Sequence, residues 1–281
     1  MGLEEVKKMN HIESFYDDEE LVITERFFRD GYVVEKVEDS SALNAVRSHI
    51  VSIVCEQLGC KMPHDEDGFL NEIHERLPVE QLNDVRMQTY RNMNESSWFR
   101  PTYFKLASKT LQTLVGNELA MQNKINLSIQ YPQDESSLLG IHSDSFGGET
   151  PFQSVCWLPL VDCMRTKSMY ILPPKKNQET LRNLSTVKEG GMAAIYEKVK
   201  KDLIFLDVPY GSVLVFSPNL LHGNTVNAEL GTRWSMNCRF TGLFTPYRGQ
   251  EKKLGAFYLP ITAKPVTRLG MNFRYPEGFD N

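Results

Sequence analysis

The chain has 281 residues, with 31 Lys and Arg against 36 Asp and Glu, giving a formal net charge of −5. At 41% hydrophobic and 24% charged its composition is that of a globular protein, which excludes disordered and fibrous classes. No apolar run approaches the ~18 residues a membrane helix needs, and scattered Lys and Arg on a net acidic chain argue against nucleic acid as the partner.

The N-terminal MGLEEVKKMN has no apolar core of a secretory signal, so a cytoplasmic protein is expected. Leu21 to Phe28 reads as a helix stopped by Asp30-Gly31, and Tyr32-Val33-Val34 as a short strand. Asp39-Ser40-Ser41 offers N-cap residues for a helix to Leu58, in which Leu43, Val46, Ile50 and Val54 form one apolar stripe. Residues 60–79 are polar and broken by Pro63, Gly68 and Pro78; helical patterns return near 80–93 and over 102–115. His49 and His74 read as surface residues.

After Gly116 the texture changes. Lys124 to Tyr131 alternates apolar and polar residues, the period of a strand with two unlike faces. Further strand-like runs are Ser154 to Leu160, Ser168 to Leu172, Leu203 to Val208, Ser212 to Phe216 and Thr232 to Phe244. Only 175–201, with Gly190-Gly191 inside it and Lys198, Lys200 and Lys201 at its end, interrupts them with a helical look; it reads equally as a lid or a solvated helix. Helices first and then many short strands predict an α+β protein, a jelly roll backed by N-terminal helices. A single domain over 1–281 is expected, with a helical part to about 117, a core over about 118–245 and an extension over 246–281. The five cysteines form no CxxC and are read as reduced.

Oxygen-activating iron(II) sites use two His and one carboxylate on one face. Because residues i and i+2 of a strand share a face, His-x-Asp delivers two ligands from one segment. Composition alone predicts about one such tripeptide with an acid in this chain. There are three: His11-Ile12-Glu13, His64-Asp65-Glu66 and His142-Ser143-Asp144. Only the third lies in the strand-rich half, just past an alternating strand. His222 follows the apolar strand Ser212 to Phe216, where a side chain can reach a metal. Beyond it, Arg233, Ser235, Asn237 and Arg239 share one strand face, while Trp234, Met236, Cys238 and Phe240 share the other. An arginine fork suits bidentate capture of a carboxylate, and Ser235 can add a hydroxyl bond.

His142-Ser143-Asp144, then His222, then Arg233 eleven residues later, resembles the non-haem iron(II), 2-oxoglutarate-dependent oxygenases, in the style of the phytanoyl-CoA dioxygenase-like branch. Phe27-Phe28-Arg29-Asp30-Gly31-Tyr32 resembles the entry segment of that branch, and Val155 to Asp162 its strand after the iron tripeptide. Ser168 to Pro173 resembles a strand that usually ends Pro-Gly-Ser-His; here Pro174-Lys175 stands instead. Over about residues 22–245 the resemblance implies a double-stranded β-helix of cupin-like type, Fe(II) held by His142, Asp144 and His222, and 2-oxoglutarate clamped at Arg233 with Ser235. It further implies a small-molecule substrate oxidised by O2 with release of succinate and CO2, a sugar or sugar-linked metabolite being the class it points to.

Asn126, Ser128 and Gln130 form the polar face of their strand, which either lines the same cavity, with Asn126 and Gln130 near the co-substrate, or faces solvent. Asn237 and Arg239 either meet substrate or make structural hydrogen bonds and ion pairs. Trp157 and Tyr170 read as packing residues. Two rival readings stay open: a sandwich that binds a sugar without redox chemistry, and a cupin-type epimerase using His and an acid without oxygen.

Overall fold

The computed structural model describes residues 15–183, 191–247 and 249–278. Helix α1 (Asp18–Asp30) starts with a capping box, in which Asp17 accepts from the Glu20 amide and Glu20 accepts from the Asp17 amide. It stops at Gly31, whose φ of +77° is left-handed. A side chain here would also strike Leu220, since a Cβ on Gly31 would lie 2.2 Å from Leu220 Cδ1. Helix α2 (Ser40–Leu58) is capped by Asp39 and buries the expected Leu43, Val46, Ile50 and Val54 stripe.

The stretch 60–79 is less broken than its polar residues imply. Asp65 caps a short helix α3 (Glu66–Asn71), and a 3-10 turn follows at Ile73–Glu75. Phe69, Leu70 and Ile73 are buried there, so three apolar anchors outweigh the surrounding charge. Helix α4 spans Val79–Glu95. The helical pattern over 102–115 divides into α5 (Phe99–Lys105) and α6 (Ser108–Val115), since Leu106 and Ala107 turn inward and are buried.

The strands are β1 (Tyr32–Lys36), β2 (Leu119–Gln122), β3 (Asn126–Gln130), β4 (Gln153–Pro159), β5 (Tyr170–Ile171), β6 (Ile204–Phe205), β7 (Ser212–Phe216), β8 (His222–Gly223), β9 (Arg233–Gly242) and β10 (Tyr258–Pro260). A seven-stranded antiparallel sheet runs β1-β7-β4-β9-β2-β10, with β3 also on β9. The ten-residue β9 is its spine. One edge pairs with β4 over 235–241; the other pairs with β3 over 233–237 and with β2 over 240–242. A three-stranded sheet, β6-β5-β8, gains a further rung from the bridge between His142 and His222.

One face of the large sheet packs with the helices into a single apolar core. Trp234, Met236, Cys238 and Phe240 of β9 lie in it together with Leu43, Ile50, Leu70, Phe99 and Leu111. Tyr103 donates to the Cys156 carbonyl at 2.8 Å, and the Trp234 indole to the Leu70 carbonyl at 2.9 Å, so the polar tips of both buried rings are satisfied. A second cluster behind the small sheet joins Tyr170, Leu172 and Leu221 to Ile195 and Val199 of a helix α8 (Gly191–Val199), which follows α7 (Pro174–Arg182). The helical look of 175–201 corresponds to these two helices; Gly190 lies outside the described residues, as does His11-Ile12-Glu13. Part of the C-terminal extension joins the large sheet through β10, and helix α9 (Pro265–Asn272) follows. All five cysteines are free thiols. Among the described residues no helix is long and apolar enough to cross a membrane.

Candidate active site

Alternation along β9 turns Arg233, Ser235, Asn237 and Arg239 away from the helices and into a cavity between the two sheets. The cavity, about 600 Å³ with its open mouth, also takes in His142, Asp144 and His222. Val155 and Trp157 of β4, Met169 and Phe216 form its apolar wall. Trp157 therefore packs, as expected, but against this cavity. Tyr170 packs behind the small sheet.

His142 and His222 are rung partners, which sets their rings 4.3 Å apart between centroids. Each imidazole places its Nδ1 on a carbonyl two residues earlier: His142 on Gly140 at 2.9 Å, His222 on Leu220 at 2.8 Å. That fixes the tautomer and leaves both Nε2 atoms as free lone-pair donors. Both point at Asp144 Oδ1, which is 3.5 Å from His142 and 4.0 Å from His222. One donor atom from each of the three residues lies within 4.8 Å of the others.

The charge states suit a cation. Burial pushes the His222 imidazole down to about 4, helped by the neighbouring His142, so it is a neutral ligand near pH 7. Burial alone would raise the Asp144 carboxyl, but the adjacent His142 and the charge of Arg239 hold it well below the usual carboxylate range. Two neutral-capable nitrogens and one carboxylate oxygen fit a divalent first-row metal. The loop carrying Asp144 is pinned from β7's far side: Ser143 donates to the Pro218 carbonyl at 3.0 Å, and Asn219 donates to the Pro151 carbonyl at 2.9 Å and accepts from Ser145.

Arg233 is 4% exposed, and its one side-chain bond is from Nη2 to the Ser128 hydroxyl at 3.0 Å. Its Nε is buried with no partner, and among the described residues no carboxylate pairs with it. Burial pulls its guanidinium down to about 10. A buried cation without a counter-ion is costly; an anion in the cavity would compensate it.

Arg239 is different. Its Nε and Nη2 both meet Asp144 Oδ2, at 2.9 and 2.7 Å, and Nη1 donates to Gln122 at 3.2 Å. Buried Glu149 stands behind it at 3.9 Å and is itself held by Lys252 and by the Tyr258 hydroxyl at 2.8 Å. Asn237 lines the cavity and accepts from Asn126 at 2.9 Å; Asn126 itself is not on the cavity wall. Gln130 is fully buried beside the cavity. It donates to the Thr225 carbonyl at 2.7 Å and accepts from Asn224 at 3.1 Å, tying β3 to the segment after His222. Ser128, on the same strand face, does line the cavity.

Sequence reasoning missed Gln122, Glu149, Lys252, Tyr258 and Asn219, which meet the site from four separate segments with no local motif. The two histidines read as surface residues are half-buried and bonded: His49 bonds Ser96 at 3.1 Å with its ring edge-on to Trp98, and His74 bonds Thr232 at 2.9 Å.

No protein-family model matches the chain, and no curated protein matches it by sequence. Solved structures do. A nickel complex of the non-haem monooxygenase ThoJ aligns at TM-score 0.55 and 13% identity, over 87% of this chain and 85% of that one. EctD from S. alaskensis, with 2-oxoglutarate and 5-hydroxyectoine, aligns at TM-score 0.55 and 14% identity, over 84% and 82%. HygX from Streptomyces hygroscopicus, with nickel and 2-oxoglutarate, aligns at 0.51 and 15%, over 87% and 96%. The chain has the fold of the 2-oxoglutarate-dependent oxygenases. At these identities the likeness concerns the backbone, and the chemistry rests on the side chains described above.

Proposed function

We propose that this protein is an Fe(II)- and 2-oxoglutarate-dependent oxygenase acting on a small molecule, its two sheets forming the double-stranded β-helix of that class. The observation that carries the reading is Arg233: a buried guanidinium that has no carboxylate partner among the described residues, in the same cavity as a His-Asp-His cluster. A sugar-binding jelly roll has no use for an uncompensated cation beside three converging metal donors, and an epimerase without a keto acid leaves it equally unexplained.

His142, Asp144 and His222 would hold the metal. When bound, Fe(II) with 2-oxoglutarate and O2 would supply the oxidising chemistry, releasing succinate and CO2 as the substrate is oxidised. The chain's own contribution is geometric and electrostatic. The two Nδ1–carbonyl bonds aim the imidazoles, the β8 rung sets their spacing, and Asp144 stays ionised at neutral pH. Arg233 would take the far carboxylate of the keto acid, with the hydroxyls of Ser128 and Ser235 on the same wall. Val155, Trp157, Met169 and Phe216 line the cavity with apolar surface, and the low local dielectric strengthens the ion pair. Asn237, at the wall between the two arginines, is the residue we assign to substrate contact.

The test is succinate release from 2-oxoglutarate by the purified protein with Fe(II), ascorbate and O2, across a panel of small molecules that includes sugars and sugar-linked metabolites. Calorimetry of 2-oxoglutarate with the Ni(II)-loaded protein runs beside it. Metal-dependent keto-acid binding is expected even before the substrate is found; its absence, with no turnover, overturns the proposal.

A further inference from the structure

Two arginines stand six residues apart on one face of β9 and see different surroundings. Among the described residues Arg233 has no carboxylate partner, whereas Arg239 has two carboxylates against it, Asp144 at 2.7 Å and Glu149 at 3.9 Å. The contact with Asp144 is one-sided. Both nitrogens of the guanidinium edge reach Oδ2, and Oδ1 is the oxygen that faces the two imidazole Nε2 atoms. The carboxylate is thus divided between a cation on one oxygen and the metal cluster on the other.

The orientation of Arg239 is fixed from outside the cluster. Gln122 on β2 takes the third nitrogen at 3.2 Å, and Glu149 is buried to 2% exposure with Lys252 and Tyr258 upon it. Those two come from the C-terminal extension, so a segment far from the ligands in sequence holds the side chain that holds Asp144. The pairing of this edge of β9 passes from β3 to β2 after Asn237, which places Arg239 next to Gln122 instead of a β3 residue.

Resting on the proposed metal site, we infer that Arg239 is a positioning residue that restricts Asp144 to one-oxygen ligation of the metal. Two His and one carboxylate oxygen leave three of six positions open, enough for a chelating keto acid and one more ligand. A second Asp144 oxygen on the metal would close one of them. With Oδ2 engaged by a two-nitrogen fork, that closure is blocked. A lysine offers one donor line where the guanidinium offers a planar fork, so it holds the same oxygen less firmly.

The test compares the wild type with Arg239→Met and Arg239→Lys in the Ni(II) form, by crystal structure and by calorimetry of Ni(II) and then of 2-oxoglutarate. In the wild type one Asp144 oxygen is expected on the metal and the other on Arg239. In Arg239→Met both oxygens are expected on the metal, and keto-acid affinity for the loaded protein falls by about 10–100-fold, the usual scale for loss of a ligand's outer support. Arg239→Lys retains the cation beside Asp144 and Glu149, which preserves the fold should the methionine variant not fold; its keto-acid affinity is expected between the two. One-oxygen ligation with unchanged Ni(II) and keto-acid affinities in the folded variants overturns the inference. A wild-type protein that binds no Ni(II) is a separate outcome: it removes the metal-site reading itself, and this inference with it.

Discussion

His142 and His222 are hydrogen-bonded to each other through their main chains in both directions, His142 N to His222 O at 2.9 Å and His222 N to His142 O at 2.8 Å. The spacing of the two imidazoles is therefore a property of a β-ladder and does not depend on side-chain packing alone. An antiparallel pair that exchanges both main-chain bonds holds its Cα atoms about 5.5 Å apart, so the imidazoles are set close together before any metal arrives.

From this preformed pair, metal binding is expected to stabilise the fold without refolding it. At 100 times its Kd, Ni(II) should add about 2.7 kcal/mol, which is about 5–10 °C in Tm for a domain of this size. His142→Ala, Asp144→Ala and His222→Ala should each lose that gain, and EDTA should remove it from the wild type. Differential scanning fluorimetry with and without Ni(II) reads the effect; a gain retained in all three variants would move the metal elsewhere.

Arg233→Met should separate stability from binding. Removing one side of a buried ion pair costs about 2–5 kcal/mol, so keto-acid affinity should fall by about 30- to 5,000-fold. The ligand-free protein should be no less stable than the wild type, because a buried cation that no carboxylate compensates is being replaced by an apolar side chain of similar length. Calorimetry and chemical denaturation give the two numbers; a large loss of ligand-free stability would mean that Arg233 is structural.

Gln130 and Asn224 form a buried bridge between β3 and the segment after His222, and Asn224 also meets the Leu139 amide. Gln130→Leu leaves the Thr225 carbonyl without its side-chain donor and the Asn224 amide with the Ser137 carbonyl alone, at 3.3 Å, which should cost about 1–3 kcal/mol. The Asn126→Leu change, which breaks only the half-buried bond to Asn237, should cost less. Urea denaturation of the two variants is the check, and equal costs would contradict the ranking.

Gly223 follows His222 in a space that admits no side chain. A Cβ there would lie 2.6 Å from the Tyr170 hydroxyl and 2.7 Å from the Leu139 carbonyl. Gly223→Ala should cost about 1–3 kcal/mol by overpacking and lower Ni(II) affinity by displacing His222. Combining it with Tyr170→Phe should not restore the loss, because the Leu139 backbone remains in the way. Full rescue in that double variant would show that the hydroxyl alone made the clash.

The elements that carried a strong local period were legible in the chain. The helix over 40–58 has its cap, stripe and terminal glycine between Asp39 and Gly59, and Ser212–Phe216 is bounded by its own turn signals. The two short strands that mattered most, β8 and β10, have two and three residues. So short a run carries no period, and its assignment depends on a partner distant in the chain.

The site divides in the same way. Residue type and i, i+2 spacing gave three candidates, of which place in the strand-rich half singled out His142 with Asp144, and the alternation of β9 sufficed to put Arg233, Ser235, Asn237 and Arg239 on one face. Nothing local distinguishes Arg233 from Arg239, since both are arginines in strand positions of the same parity. Only packing decided that one meets Ser128 and an open cavity while the other is locked on Asp144, with Gln122 and Glu149 around it. Side-chain role here follows from which charges share a low-dielectric space, and that sharing comes into being when segments more than ninety residues apart close on one another.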